Sequence, residues 1–316
     1  MTKTFDLLVL GDANPDVVLV GAPRRPAFGQ REELVRHGEL VLGGSAAITA
    51  CGAARLGLRT AFAGRVGDDA AGRFVLDALA ARDVDVSACT VDPSCPTGLT
   101  VVLTDGDDRA ILTAPGTLPR TAPGDVPERA LRDARHVHAA SYFLQPALAA
   151  GLPELFAAAR AAGATTSLDT NDDPSGRWEG LDAVLAATDV LLPNAAEARA
   201  LGGTADLAEA ARRIAARGPL PVVKRGPEGA LAWADGAAVL AAPVPADPLD
   251  TVGAGDSFDA GFLAGRLNGL DLPGSLALAA AAGALSTRAN GGTAAQPTWR
   301  EAAAAAGLAR NERIVR

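Results

Sequence analysis

The stretch 250–258 combines a glycine-rich turn with a carboxylate that could take part in acid–base chemistry. Gly253 and Gly255 flank Ala254, so the backbone can turn tightly and approach a ligand closely. A helical pattern follows, and the first amides of such a helix lack intrahelical partners and favour a phosphate. Asp256 would face that phosphate with a charge of the same sign. Because such a carboxylate can accept the proton of a hydroxyl that attacks phosphorus, the stretch predicts a kinase.

A Gly-x-Gly-Asp sequence on its own is more often an ordinary helix start in which Asp256 is a capping acid. The full string is more specific. It resembles the Asp-Thr-x-Gly-Ala-Gly-Asp-x-Phe signature of the PfkB or ribokinase-like carbohydrate kinases. The resemblance implies that Asp256 is the catalytic base. The amides of Gly253, Ala254 and Gly255 would then stabilise charge on the transferring group.

Composition and charge exclude several classes of protein. The chain has 316 residues, of which 48% are hydrophobic, enough for a large α/β core. Its formal charge of −8 leaves no basic face for a nucleic acid or an anionic membrane, so we expect neither partner. Cys51, Cys89 and Cys95 are too scattered for a disulfide framework or a thiolate metal site. Without a signal-peptide pattern or an apolar run of about 20 residues, the sequence predicts a cytoplasmic protein.

Strand and helix patterns alternate along most of the chain. A buried first strand at Phe5–Leu10 and short strands at 136–139, 165–168 and 190–192 are separated by helical, mostly alanine-rich segments. This alternation predicts βαβ units. The predicted fold class is therefore α/β, with a mostly parallel central sheet and helices on both faces, in one domain spanning residues 1–316. The resemblance implies the ribokinase-like version of this fold.

Two segments, near 17–42 and 96–113, interrupt the alternation with short β-like runs. The second contains Asp105-Gly106-Asp107-Asp108, which is a hairpin signal. The resemblance implies that both segments form a small β-lid, which would keep water away from the transferring phosphoryl group. Because exposed strand edges pair readily with other chains, the lid could also join two copies in a homodimer.

Polar residues follow the first strand and mark a candidate sugar site. Ligands of open parallel sheets bind beyond the carboxyl ends of the strands, so Asn14 and Asp16 are candidates for binding substrate hydroxyls. Asn-Pro-Asp is equally good turn chemistry. Gly43 and Gly44, before a helical pattern, permit close approach of a ligand or form a simple loop. The resemblance places a substrate-binding Asp at Asp16 and matches the family's paired glycines at Gly43 and Gly44, although Ile48 stands where the family usually has a substrate-binding Asn.

A second polar cluster follows the later strands. Asn194 and Glu197 have the spacing of an N-cap and its capping box. The resemblance implies that both also organise Mg²⁺ and the phosphates, Glu197 through water, and that Asp169 lies near the phosphate path. Asp250 is implied as a candidate ligand of a monovalent cation such as K⁺.

The resemblance also makes ATP the expected cofactor and assigns its contacts. Lys224 or Arg225 could meet the phosphates, and at least one of them is expected to remain a solvated turn charge. The residues implied in nucleotide binding are Asn194, Lys224, Gly226, Gly229, Thr251 and Asn290.

Two other functions compete with a sugar kinase. A nucleoside kinase of the same family would stack the base on aromatic side chains, but aromatics make up only 4% of the chain, with Phe28 and Phe143 as candidates. A non-catalytic sugar- or nucleotide-binding protein would have no use for the carboxylate of Asp256. The three histidines are too separated for a metal triad, and there is no P-loop signature. The sequence predicts an ATP-dependent kinase that acts on a small sugar or polyol.

Overall fold

The computed structural model describes residues 3–105 and 108–308, which form fifteen strands and ten α-helices. The strands are β1 (Phe5–Leu10), β2 (Asn14–Val20), β3 (His37–Gly43), β4 (Thr60–Ala63), β5 (Arg65–Gly67), β6 (Val84–Asp85), β7 (Thr90–Asp92), β8 (Leu99–Asp105), β9 (Asp108–Ala114), β10 (Ala134–Ala139), β11 (Thr165–Leu168), β12 (Val190–Leu191), β13 (Leu220–Lys224), β14 (Ala230–Ala234) and β15 (Ala237–Ala241). The helices are α1 (Ser45–Arg55), α2 (Ala70–Ala80), α3 (Glu128–Asp133), α4 (Pro146–Ala161), α5 (Asp182–Ala186), α6 (Ala195–Gly202), α7 (Leu207–Ala215), α8 (Ala254–Leu267), α9 (Leu272–Ser286) and α10 (Trp299–Ala305).

A large mixed sheet forms the centre of the molecule. Among the described residues it has nine strands in the order β15-β14-β13-β12-β11-β10-β1-β4-β6. The strands from β13 to β6 run parallel, and β14 and β15 extend one edge as an antiparallel meander. β1 is buried on both faces, which is why it reads as a continuous apolar run. The predicted α/β class with a mostly parallel sheet is confirmed.

Helices cover both faces of this sheet. Leu7 and Val9 of β1 face the core that contains α1, α2, α8, α9 and α10. Leu8 and Leu10 point to the opposite core, which contains α3 to α7. Successive residues of a strand face opposite sides, so one apolar strand serves both cores. The layer with α1 and α8 is the one that carries the candidate site.

A smaller sheet stands apart from the large one. Its order is β3-β2-β8-β9, and its strands come from the two segments predicted to form a lid. The hairpin predicted at 105–108 lies partly outside the described residues, at Gly106 and Asp107. β2 follows β1 almost directly, so the chain passes from the large sheet to the small one beside the first polar cluster.

Several local predictions can be compared with the structure. Asp69 caps α2 by accepting a hydrogen bond from Gly72 N at 2.7 Å, as its position before a helical pattern suggested. Cys51, Cys89 and Cys95 are free thiols. Across the part of the chain that the structure describes, every helix is too short or too polar to span a bilayer.

Candidate active site

The N-terminus of α8 is formed by the predicted glycine-rich turn. Gly253, directly before Ala254, has a φ of 72°, in the left-handed region. A side chain at Gly253 would also stand 2.5 Å from Cα of Gly292. Both the backbone angle and the packing therefore require glycine at this position.

The first turn of α8 presents free amides. Ala254 N donates to Thr251 O at 3.3 Å, so this predicted member of the anion site is shared with the preceding loop. The next two amides, of Gly255 and Asp256, have no acceptor within the helix because they lie in its first turn. The helix dipole adds partial positive charge there. This end of α8 can hold an anionic group.

Asp256 is a buried carboxyl in that first turn, with only 8% of its surface exposed. Burial raises the pKa of Asp256 to about 8, and the negative charges of Asp169 and Asp12 act in the same direction. Lys224 and the hydroxyl of Ser45 oppose this rise. A carboxyl whose pKa lies near neutrality is suited to receive and return a proton.

Asp256 belongs to a buried cluster of three carboxyl groups and one ammonium group, which we call the acid–lysine cluster: Asp169, Lys224, Asp256 and Asp259. Lys224 Nζ at the end of β13 donates to Asp169 Oδ2 at 2.6 Å and to Asp259 Oδ2 at 3.1 Å. Oxygens of the three carboxyls lie within 4.8 Å of one another. The sequence analysis missed Asp259, although an acid one turn after Asp256 in a mostly apolar helix was a visible signal.

The candidate sugar residues meet where β2 and β3 approach α1. Asn14 Nδ2 donates to Asp16 Oδ1 at 2.7 Å and to Thr100 Oγ1 at 3.1 Å. Burial and the charge of Asp12 raise the pKa of Asp16 to about 7. A Cβ atom on Gly43 would overlap the Asp16 carboxylate. The structure thus brings Asn14, Asp16 and Gly43 together, and Gly44 directly precedes α1.

Ile48 packs beneath the glycine-rich turn. It is 3% exposed, and a Cβ atom on Gly292 would stand 2.5 Å from its Cδ1. Its Cγ2 would stand 3.0 Å from a Cβ atom on Gly253. Gln296 Nε2 donates to Ile48 O at 2.9 Å. An apolar side chain here supports the loops around α8 and offers no hydrogen bond to a ligand.

Asn194 and Glu197 form the predicted capping box of α6. Asn194 Oδ1 accepts from Ala196 N and Glu197 N, and Asn194 N donates back to Glu197 Oε2 at 2.8 Å. Burial, together with the charge of Asp169, raises the pKa of Glu197 to about 7. The capping role is confirmed, and a role with Mg²⁺ stays a prediction.

A cavity of about 600 Å³ opens beside the N-terminus of α8. It gathers four of the six predicted nucleotide residues, Lys224, Gly226, Gly229 and Thr251, but Asn194 and Asn290 are not among the residues that line it. Most of the remaining lining is small, apolar or proline. It consists of Arg225, Pro227, Pro243, Val244, Pro245, Ala246, Pro248, Ala254, Gly255, Phe258, Ala280, Gly283, Ala284 and Thr287.

Asp250 connects two loops next to this cavity. Its Oδ1 accepts from Val252 N and its Oδ2 accepts from Gly291 N, both at 2.9 Å. Asp250 therefore holds the segment before α8 against the segment after α9. The predicted cation role of Asp250 stays a prediction, as does the adenine contact of Asn290.

The two aromatic candidates for a stacking site are separate. Phe28 is 96% exposed in the segment between β2 and β3. Phe143 packs edge-to-face against Tyr142 and Trp178, with ring centroids 5.3 and 5.5 Å apart. Phe143 thus packs against other aromatic rings, whereas Phe28 is almost fully exposed.

Comparison with known proteins gives a consistent result. The pfkB family carbohydrate kinase model matches residues 4–299. A fructokinase of Klebsiella pneumoniae is 34% identical over 272 residues, covering 81% of this chain and 88% of that protein. A 2-dehydro-3-deoxygluconokinase of Thermoproteus tenax is 32% identical over 281 residues, covering 85% of this chain and 86% of that protein.

A solved structure shares the fold. A ribokinase II from E. coli, crystallised in complex with ATP and Mg²⁺, superposes with a TM-score of 0.85 and 23% identity, covering 96% of this chain and 99% of that one. The predicted ribokinase-like fold is confirmed.

Proposed function

Because the chain belongs to the pfkB family of carbohydrate kinases, we propose that it transfers the γ-phosphoryl group of ATP to a hydroxyl of a small neutral sugar or polyol. One observation carries the proposal. The buried carboxyl of Asp256 lies at the free amides of α8, next to the nucleotide-sized cavity. Asn14 and Asp16 supply hydroxyl-binding groups nearby in the fold.

In the proposed reaction a sugar hydroxyl approaches Asp256. The bond between the γ-phosphorus and the ADP oxygen breaks as the hydroxyl oxygen bonds to phosphorus. The hydroxyl proton passes to a carboxylate oxygen of Asp256. The amides at residues 253–255 and of Asp256 itself stabilise charge on the transferring group. Release of the proton to solvent restores the base.

We further propose that the cavity beside α8 holds the nucleotide. Its apolar part suits a purine and ribose, and Lys224 lies at the phosphate end, with Nζ 3.6 Å from where a Cβ atom on Gly255 would be. Mg²⁺ would neutralise charge on the phosphates. Both Glu197 oxygens already accept hydrogen bonds from Asn194, so Glu197 fits a role that reaches the ion through water. A K⁺ site near Asp250 belongs to the same proposal.

The charge around the sugar site favours a neutral substrate. Burial raises the pKa of Asp12, Asp16 and Asp256, and the charge of Asp12 adds to the rise at Asp16 and Asp256. Carboxyl groups hydrogen-bond to hydroxyls in either protonation state, and those that are ionised repel a sugar phosphate or a sugar acid. Fructose with fructose 6-phosphate, and ribose with ribose 5-phosphate, form matched pairs for a kinetic test. We expect the neutral member to have a kcat/KM at least about tenfold higher, which corresponds to about 1.4 kcal/mol.

The small sheet is proposed as the lid of this site and as the contact between two copies of the chain. One apolar row crosses its four strands through cross-strand partners, in the order Leu40, Val17, Val101 and Leu112. Leu40 and Leu112 at the two ends are 54% and 60% exposed. Such an exposed row favours association with a second copy.

ADP release from ATP and Mg²⁺ across sugars, polyols, sugar acids and nucleosides tests the function directly. We expect turnover on neutral sugars or polyols, reduced by about 10²–10⁴-fold in Asp256→Asn. Turnover on nucleosides alone would favour the nucleoside kinase. Binding of ATP and a sugar without turnover across the panel would favour a binding protein, and full activity of Asp256→Asn would refute the assigned base.

A further inference from the structure

Asp259 is a second carboxyl on the same face of α8, one turn beyond Asp256. It is fully buried. Its Oδ2 accepts a hydrogen bond from Lys224 Nζ at 3.1 Å. Its Oδ1 accepts no hydrogen bond from any donor among the described residues. Leaving a buried charged oxygen unpaired is costly, so the protonation state of Asp259 needs an explanation.

Two arrangements could compensate this carboxyl. A metal ion among the three carboxyls is disfavoured, because Lys224 already bridges Asp169 and Asp259 as the local cation. A proton on Oδ1 is the second arrangement, and it removes the unpaired acceptor. It converts the unpaired acceptor into a donor, and Asp169 lies close enough to share that hydrogen bond. A carboxylic acid hydrogen-bonded to a carboxylate is a strong pair in a dry site.

We propose that Asp259 is a neutral carboxylic acid that donates a hydrogen bond to Asp169, accepts one from Lys224, and so acts as a positioning residue for the active site. It fixes the ammonium group of Lys224 beside the first turn of α8, where the proposed function places the phosphates. Burial and the charges of Asp169 and Asp256 raise the pKa of Asp259 well above its ordinary value, although Lys224 opposes this rise.

The neutral state of Asp259 also matters for Asp256. With Asp259 protonated, the charges of Asp169 and Lys224 cancel, and Asp256 can ionise without a second uncompensated carboxylate next to it. Ionised Asp259 would add a negative charge within a few ångströms and raise the pKa of Asp256 further. Three other titratable groups act on the cluster. Asp12 raises the pKa of Asp256, and Glu197 of α6 lies near Lys224. His138 of β10 is neutral, because burial lowers its pKa to about 4.

Two variants separate this role from simple packing. Asparagine reproduces a neutral carboxylic acid, because its carbonyl can accept from Lys224 and its amide can donate to Asp169. Leucine has a similar size and supplies neither group. We expect Asp259→Leu to lower kcat by about 100-fold, because misplaced catalytic groups commonly cost that much. Asp259→Asn should retain most of the kcat of the unaltered protein. Equal losses in both variants, with melting temperatures showing that both fold, would overturn the proposal.

A second measurement does not depend on catalysis, although the positioning role itself rests on the proposed function. Infrared difference spectra between the unaltered protein and Asp259→Asn at neutral pH report the carbonyl band of a protonated carboxylic acid. We expect the unaltered protein to show that band and the variant to lose it. If the variant instead loses a carboxylate band, Asp259 is ionised in the unaltered protein and the proposal is overturned. An absence of kinase activity in the unaltered protein would instead count against the proposed function and leave this result readable.

Discussion

Replacing Asp256 with asparagine should stabilise the folded protein while it removes the proposed catalytic base. Burial, with the charges of Asp169 and Asp12, raises the pKa of Asp256 from 3.8 to about 8. Between these pH values the folded protein holds a proton that the unfolded chain releases. The stabilising effect of that proton is therefore fully present below about pH 4 and is lost as the pH rises through 8. Asparagine is neutral throughout and has nearly the same shape.

The size of the effect follows from the pKa values. Each pKa unit corresponds to about 1.4 kcal/mol, so a rise from 3.8 to about 8 sets an upper limit of about 6 kcal/mol above pH 8. Structural relaxation and water entry reduce the cost of a buried charge. We compare the free energy of unfolding of Asp256→Asn with that of the unaltered protein at each pH. The difference in favour of the variant should be a few kcal/mol larger at pH 9 than at pH 4.

Urea unfolding at pH 4, 6, 7.5 and 9 measures this free energy. Glu154→Gln is a matched control, since it removes one carboxylate from an exposed position on α4, on the opposite layer of the molecule. The control should follow the unaltered protein at every pH. If the curves of Asp256→Asn and the unaltered protein stay parallel from pH 4 to 9, the pKa of Asp256 is not raised and the argument for a poised base fails.

Other changes test the remaining parts of the site. Gly43→Ala should displace Asp16 and raise KM for the sugar by about tenfold or more with a smaller change in kcat, and an unchanged KM would contradict the sugar site. Glu197→Gln should raise the Mg²⁺ concentration needed for half-maximal rate by about 10-fold or more, and an unaltered Mg²⁺ dependence would remove Glu197 from the ion's surroundings. Because apolar side chains and prolines without N–H groups line the base end of the cavity, GTP should support a kcat/KM within about tenfold of ATP, and a larger preference would show that backbone groups read the base. Leu112→Glu should shift a dimer to a monomer in light scattering, unlike Leu240→Glu on β15, and equal masses for both would exclude the small sheet as the contact.

The glycine-rich turn was predictable because its chemistry is contiguous in the sequence. Gly253, Gly255 and Asp256 lie within four residues, and the helix that follows places them in fixed relation to one another. The same holds for the capping box of α6, whose two members are three residues apart. Local spacing is enough where one helix turn sets the geometry.

The acid–lysine cluster could not be assembled in the same way. Lys224 lies 55 residues from Asp169 and 35 from Asp259, and only the order of β11 and β13 in the sheet and the packing of α8 bring the three groups together. The sequence therefore offered Lys224 as a candidate phosphate contact without revealing its two acidic partners. Ile48 is similar, because its contact with Gly292 depends on how α1 packs against the loop after α9.

The proposed sugar site is divided between two parts of the molecule. Asp16 belongs to the small sheet, whereas Asp256 belongs to the layer on the large sheet, and only Gly11, Asp12 and Ala13 separate β1 from β2. A sugar bound by both carboxyls would connect the two sheets. Its binding free energy would then include the free energy needed to fix the angle between them. A ligand that fixes this angle would change the affinity for the sugar by some factor. By thermodynamic linkage, the sugar would change the affinity for that ligand by the same factor. A binder raised against the row from Leu40 to Leu112 would thus tune the kinase without touching its active site.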